Sequence, residues 1–185
     1  MNGDMITVIL QPIGAVDPEM IAYLEEEMES VYVAVEVRQA VKVPAEASDP
    51  ERGQLEGTSV LMALPSPDTS IDATLGVIEE DLFVAELNFI FGLAYGNRAI
   101  ISLRRLRQEF HGLSPDPELF RVRAKKEAFH DLGHVFGLPH CEDRRCVMCF
   151  SNSIFETDFK SFRFCERCWE TLEDSGVVLS YRIDD

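Results

Sequence analysis

Hydrophobic and polar positions along the first 64 residues follow two periods in turn. Residues 6–10 form an apolar, β-branched run of strand length, and Asp17, Pro18 and Glu19 then supply an N-cap with proline in the first helical turn. The pattern predicts a strand over 6–10, a helix from 17 to about 31 and a strand over 32–41. Such a β-α-β start calls for a parallel pair with a right-handed crossover. Residues 44–57 are polar, contain Asp49-Pro50 and Gly53, and predict a loop with a mobile tip; residues 59–64 predict a second helix. Farther on, 73–79, 82–84, 88–96 and 99–103 read as strands, the last two joined through the turn-forming Gly96-Asn97 pair. The stretch 87–95, apolar with Gly92 inside it, reads as one buried strand. Asp116-Pro117-Glu118 is a second N-cap with proline at the first helical position, and Phe120, Ala124, Phe129 and Leu132 keep helical spacing as far as Gly137. A last helix, from about 165 through 172, ends near Gly176, and no internal repeat interrupts the chain.

At 185 residues, 46% of them hydrophobic, the chain is long enough to bury a core and reads as one domain over 1–185. No apolar run approaches the roughly 20 residues that span a bilayer. The first residues lack the basic segment of a secretory signal, so a cytoplasmic location is expected, with no membrane partner. Seventeen basic residues stand against 33 acidic ones, a formal charge of −16, which repels phosphate backbones and argues against nucleic acid as a partner. The acid in 25–29, 46–56, 79–81 and the tail reads as solvated faces and loops.

Chemistry concentrates near residue 130. Three of the four histidines fall in the run HDLGHVFGLPH over residues 130–140. Residues four apart on a helix share a face, so His130 and His134 can reach one cation. A third ligand on the same helix would point elsewhere. Gly137 resolves this: without a Cβ it can take the left-handed conformation that ends a helix, and the chain folds back to bring His140 toward the same metal. Three protein nitrogens leave a fourth position open for water or substrate, the catalytic form of a zinc site.

All five cysteines, Cys141, Cys146, Cys149, Cys165 and Cys168, lie in the last quarter of the chain, a clustering that favours metal over a disulfide framework. Four of them could close a tetrahedral thiolate site. The pattern leaves open whether Cys141 or Cys149 joins Cys146, Cys165 and Cys168.

These residues resemble the archaemetzincins, a branch of the metzincin zinc peptidases, whose signature HExxHxxGxxH is followed by C-x4-C-x-M and then CxxC. Here it reads His130-Asp131-x-x-His134-x-x-Gly137-x-x-His140-Cys141-x4-Cys146-x-Met148, with Cys165-x2-Cys168 downstream. The resemblance implies an α+β, metzincin-like fold: a twisted mixed sheet with an α/β-like N-terminal half, a long active-site helix within 1–140, and a small zinc-stapled part over 141–185. It implies two zinc ions, a catalytic one on His130, His134 and His140 and a structural one on Cys141, Cys146, Cys165 and Cys168. Met148 would form the turn beneath the catalytic metal. The activity implied is hydrolysis of peptides or small proteins by zinc-activated water, with substrate extended along an edge strand, for which residues 97–106 are the expected segment; the oligomeric state is left open.

Asp131 departs from the pattern, which has glutamate there. That carboxylate takes the proton of the attacking water and delivers it to the leaving amine. Aspartate reaches about 1.5 Å less. Asp131 therefore works as a shorter base or through a second water, or the chain is a pseudo-peptidase that binds a peptide or protein partner without cutting it. A purely structural zinc module would leave the histidines unexplained. Glu127, His111 and the arginines at 104, 105 and 107 read as surface or structural.

Overall fold

The computed structural model describes residues 6–31, 34–65, 67 and 72–177. Its spine is a five-stranded sheet of Thr7–Ile13 (β1), Ala34–Val37 (β2), Ala73–Ile78 (β5), Gly92–Tyr95 (β8) and Arg98–Ser102 (β9), in the spatial order β2-β1-β5-β9-β8. The first four strands in that order run parallel, and β8 pairs antiparallel to β9 as an edge. A four-stranded sheet of Ser48–Asp49 (β3), Gln54–Glu56 (β4), Leu82–Val84 (β6) and Leu87–Ile90 (β7) stands beside it. Among the described residues five α-helices follow: Pro18–Glu29 (α1), Gly57–Ala63 (α2), Pro117–Val135 (α3), Ile154–Phe159 (α4) and Glu166–Asp174 (α5). The fold is α+β with mixed sheets. No helix among the described residues is long and apolar enough to cross a membrane.

The period-2 alternation of the central strands separates two cores. Val8, Leu10, Ala73, Leu75, Val77, Ala99 and Ile101 face α1 and α3, where they meet Leu24, Met28, Ala124, Ala128 and Leu132. Ile13, Ile78 and Ile100 face the other way and pack with Val60 and Leu61 of α2 and with Leu55, Leu82 and Ile90 of the small sheet. The first core continues past the end of α3 through Cys141, Val147, Met148, Cys168 and Leu172, so the cysteine-rich segment shares its apolar interior.

Several sequence-based expectations need correction. The strand expected over 32–41 is regular only over β2; its first two residues lie outside the described ones, and its end touches β1 again through an isolated bridge from Ile13 to Val41. The loop expected over 44–57 contains β3 and β4, because the Asp49 carboxylate accepts from the backbone N–H groups of Glu51 and Arg52 and closes a hairpin. Helix α2 starts before residue 59, since the Glu56 carboxylate caps the N–H groups of Thr58 and Ser59. The single buried strand expected over 87–95 is two, β7 and β8, split at Phe91 between the two sheets and largely half-exposed or exposed. Residues 97–106, expected at the edge, hold the interior strand β9. Helix α4 had no counterpart in the sequence pattern. Acidic residues 79 and 81 do not sit on a solvated face: Glu79 pairs with Arg107 at 2.9 Å and Asp81 with Arg105 at 2.7 Å.

Candidate metal centres and active site

Helix α3 forms where Asp116 and Pro117 start it: the Asp116 carboxylate accepts from Leu119 N–H at 2.9 Å, and proline sits where no donor is needed. It stops at Gly137, which takes φ 91°. Leu138 N–H then bonds Gly133 O at 2.9 Å and Gly137 N–H bonds His134 O at 3.0 Å, the paired bonds of a glycine-terminated helix. This reversal returns His140 to the face that carries His130 and His134.

The three rings converge. His130 Nδ1 donates to Val147 O and His134 Nδ1 to Leu138 O, each at 2.8 Å. Carbonyl oxygens only accept, so both protons are fixed on Nδ1 and both Nε2 lone pairs face inward. Those Nε2 atoms are 3.2 Å apart, and a ligand nitrogen of each of the three histidines lies within 4.8 Å of the others. Tetrahedral zinc with ordinary Zn–N bonds separates its nitrogens by about 3.3 Å, so the spacing fits. Burial first, then the charge of Lys160, holds the His130 imidazole down at about 2; burial also lowers His134 and His140. Neutral imidazoles are what a metal requires. His130 is buried, His134 partly so and His140 exposed, which leaves the cluster open on one side.

Cys141, Cys146, Cys165 and Cys168 gather into a second cluster. Sγ separations of 3.7 Å (Cys141 to Cys165) and 3.8 Å (Cys146 to Cys168) match the roughly 3.8 Å edge of a tetrahedral Zn–S4 site. Cys165 N–H points at Cys146 Sγ from 3.3 Å, and Arg167 at Cys141 Sγ from 3.5 Å. Burial and then the neighbouring thiols push Cys146 up to about 12, and Cys168 is raised by burial and by Cys146. Four sulfurs at this spacing could hold a metal ion, which would favour the thiolate form that burial opposes. Cys149 lies outside the cluster, its thiol toward Phe150 O.

Met148, with no exposed surface, lies against α3 where Gly133 leaves room: a Cβ at 133 would fall inside the contact radius of Met148 Sδ. Met148 O accepts from Cys141 N–H at 3.0 Å, while the preceding Val147 O holds His130. One turn thus touches both clusters.

Asp131 is 3% exposed, and its Oδ2 has no hydrogen-bond partner in the structure. The carboxyl lies against Gly92 of β8, where a Cβ would overlap Oδ2 and come within 2.7 Å of Cγ. Only glycine at that point of the edge strand admits it. Burial, then the Glu127 charge, pushes the Asp131 carboxyl well above the ordinary carboxylate range. Glu127 itself is 4% exposed, which corrects its reading as surface: it accepts from Thr157 Oγ1 at 3.2 Å and pairs with Lys160 at 3.3 Å. His111 and the arginines at 105 and 107 are structural, His111 Nε2 donating to Arg105 O.

Sequence reasoning placed Gly92 only inside a buried strand and did not single out Gly133 or Lys160. A signal existed for Gly133, since a glycine inside a helix costs about 1 kcal/mol relative to alanine and needs a packing reason. None existed for Lys160.

Three inward-facing imidazoles on a helix and its glycine reversal, beside an antiparallel edge strand, define the class: zinc metallopeptidases of the metzincin type. The chain belongs to peptidase family M54, which it matches over residues 67–174. It is similar to the archaemetzincin of Methanocaldococcus jannaschii, 42% identical across 95% of this chain and 98% of the relative. Among solved structures it resembles the archaemetzincin of Methanopyrus kandleri (TM-score 0.82, 38% identity, 95% of this chain and 97% of that one). It also resembles a zinc-dependent peptidase of Methanocorpusculum labreanum (TM-score 0.73, 27% identity, 89% and 99%).

Proposed function

We propose that this zinc metallopeptidase binds two zinc ions per chain and cleaves peptides with Asp131 as its proton-transfer group. The carrying observation is the position of the Asp131 carboxyl: it follows a candidate ligand on α3, lies against the edge strand, and has an unpartnered buried oxygen. His130, His134 and His140 would hold the first ion; Cys141, Cys146, Cys165 and Cys168 would hold the second, which staples the segment after α3 to α5. When bound to the histidines, zinc supplies a Lewis acid that polarises a carbonyl and acidifies a water. The peptide binds extended on β8, which has β9 on one side and an open edge on the other among the described residues. Asp131 Oδ2 accepts a proton from the attacking water and returns it to the leaving amine nitrogen. A cation at the histidines opposes the burial that raises this carboxyl and favours the ionised form the role requires. The whole chain, 1–140 with 141–185, acts as one unit. Cysteines that are all free thiols, four of them gathered as a ligand set, support a cytoplasmic location.

The test is Asp131→Asn beside Asp131→Glu on a degenerate peptide library, with zinc counted in each. Asp131→Asn loses about 10²–10⁴ in rate with both zinc ions retained, and Asp131→Glu keeps or raises activity. Inactive wild type and Asp131→Glu, both carrying zinc at the histidines, would refute the reading and favour a binding role.

A further inference from the structure

Lys160 has no place in the chemistry above, yet it is among the most deeply buried charged residues described, 2% exposed just after α4. Its Nζ lies 3.3 Å from Glu127 Oε1 and donates to Cys149 O at 3.4 Å. Glu127 is on α3 one turn before His130 and Asp131. Cys149 is the residue after Met148, and the next one, Phe150, rests its ring on His140 with centroids 4.9 Å apart. The ammonium thus ties the helix carrying two histidines to the strand of chain that covers the third.

Why should this position hold a cation? A positive charge is repelled by a divalent ion at the histidines, and Lys160 depresses all three imidazoles. Burying it is costly unless it is paired and hydrogen-bonded. Glu127 supplies the counter-charge, and what remains is the donor capacity of three N–H groups, which reach a side chain on one element and a backbone carbonyl on another. A neighbouring pair offers an internal comparison. Arg123, equally buried on the same face of α3, holds Asp158 of α4 with two bonds of 2.7 Å and Leu106 O with a third at 2.9 Å. That clamp pins α4 without touching residues 149 or 150.

We infer that Lys160, neutralised by Glu127, is a positioning residue that fixes the Cys149–Phe150 segment and through Phe150 seats His140 as the third ligand. The inference rests on the reading of the histidines as a zinc site. Loss of Lys160 loosens the only one of the three histidines outside the helix. Arg123 has no such role.

The experiment compares Lys160→Met, Arg123→Met and Phe150→Ala in the full chain. Zinc at the histidines is titrated against a chelator, with His134→Ala as the reference lacking that ion, and the alkylation rate of Cys149 is followed in the metal-free-histidine state. Thermal stability is measured throughout. Lys160→Met is expected to weaken zinc at the histidines about tenfold or more, the usual effect of removing an outer support, and to speed Cys149 alkylation severalfold. Arg123→Met loses at least as much stability but leaves both readouts within twofold. Phe150→Ala weakens zinc in the wild type and adds little once Lys160 is gone. Equal changes in the Lys160 and Arg123 variants would reduce Lys160 to a packing element and overturn the inference, as would unchanged zinc affinity and alkylation in Lys160→Met. Wild type that holds no zinc at the histidines would overturn the metal reading itself, and unchanged Cys149 reactivity would still separately refute the tether.

Discussion

Gly133 joins the helix to the turn beneath the histidines, and its replacement by alanine separates two opposing effects. In an isolated helix alanine is favoured over glycine by about 0.8–1.0 kcal/mol. Here the new Cβ would overlap Met148 Sδ and lie 3.0 Å from Met148 Cε and 3.2 Å from Phe164 Cε1. Met148 is fully buried and cannot swing into solvent. Overpacking of this kind costs about 1–3 kcal/mol, so Gly133→Ala should destabilise by about 1 kcal/mol net. For a chain of this size that lowers Tm by about 2–4 °C. The decisive comparison is the Met148→Ala background. Removing the thioether leaves only the Phe164 contact, the propensity advantage prevails, and Gly133→Ala should then stabilise by about 1 kcal/mol. The coupling is therefore about 2 kcal/mol, measurable by denaturant midpoints of the four proteins with zinc held saturating. If Gly133→Ala shifts stability equally in both backgrounds, the contact between Gly133 and Met148 does not constrain this glycine.

Cys165→Ser should lower thermal stability and bound zinc together. Cys165 is the N-cap of α5 and makes no capping bond, so serine there adds about 1 kcal/mol of helix stability, and a net loss on calorimetry isolates the metal contribution. His134→Ala should reduce zinc from two to one per chain by elemental analysis while far-UV circular dichroism stays native, because α3 is held through Ala124, Ala128, Phe129 and Leu132; global unfolding would contradict this. Gly92→Ala should cut kcat/KM on a peptide more than tenfold with zinc retained, since the Cβ would displace the Asp131 carboxyl and also meets Ile100 O at 2.8 Å; activity within twofold of wild type would sink the claim that the edge strand seats this carboxyl.

The difference between what was legible and what was not follows the range of the interactions involved. His130, His134, Gly137 and His140 fall within a run of eleven residues, and helical periodicity with one left-handed glycine dictates their convergence. The caps at Asp17 and Asp116 are likewise local: a side-chain oxygen satisfies an N–H two or three residues away. Cysteine spacing narrowed the second cluster to two sets and the family resemblance pointed to the one with Cys141; the fold brings Cys141 beside Cys165 and leaves Cys149 facing Phe150.

Tertiary structure alone decided the rest. The split of 87–95 into two strands, and with it the identity of the edge, depends on sheet pairing that no local pattern encodes. Asp131 could be placed on the active helix from sequence, yet its unpartnered oxygen and its seat against Gly92 arise between elements about 40 residues apart. Glu127 and Lys160, charged residues that composition assigns to the surface, are buried because each satisfies the other across 33 positions. Local sequence fixes backbone dihedrals and short-range hydrogen bonds. Burial and electrostatic pairing are set by which distant segments pack together, and that is where this chain's carboxyl and its ligand supports acquire their environment.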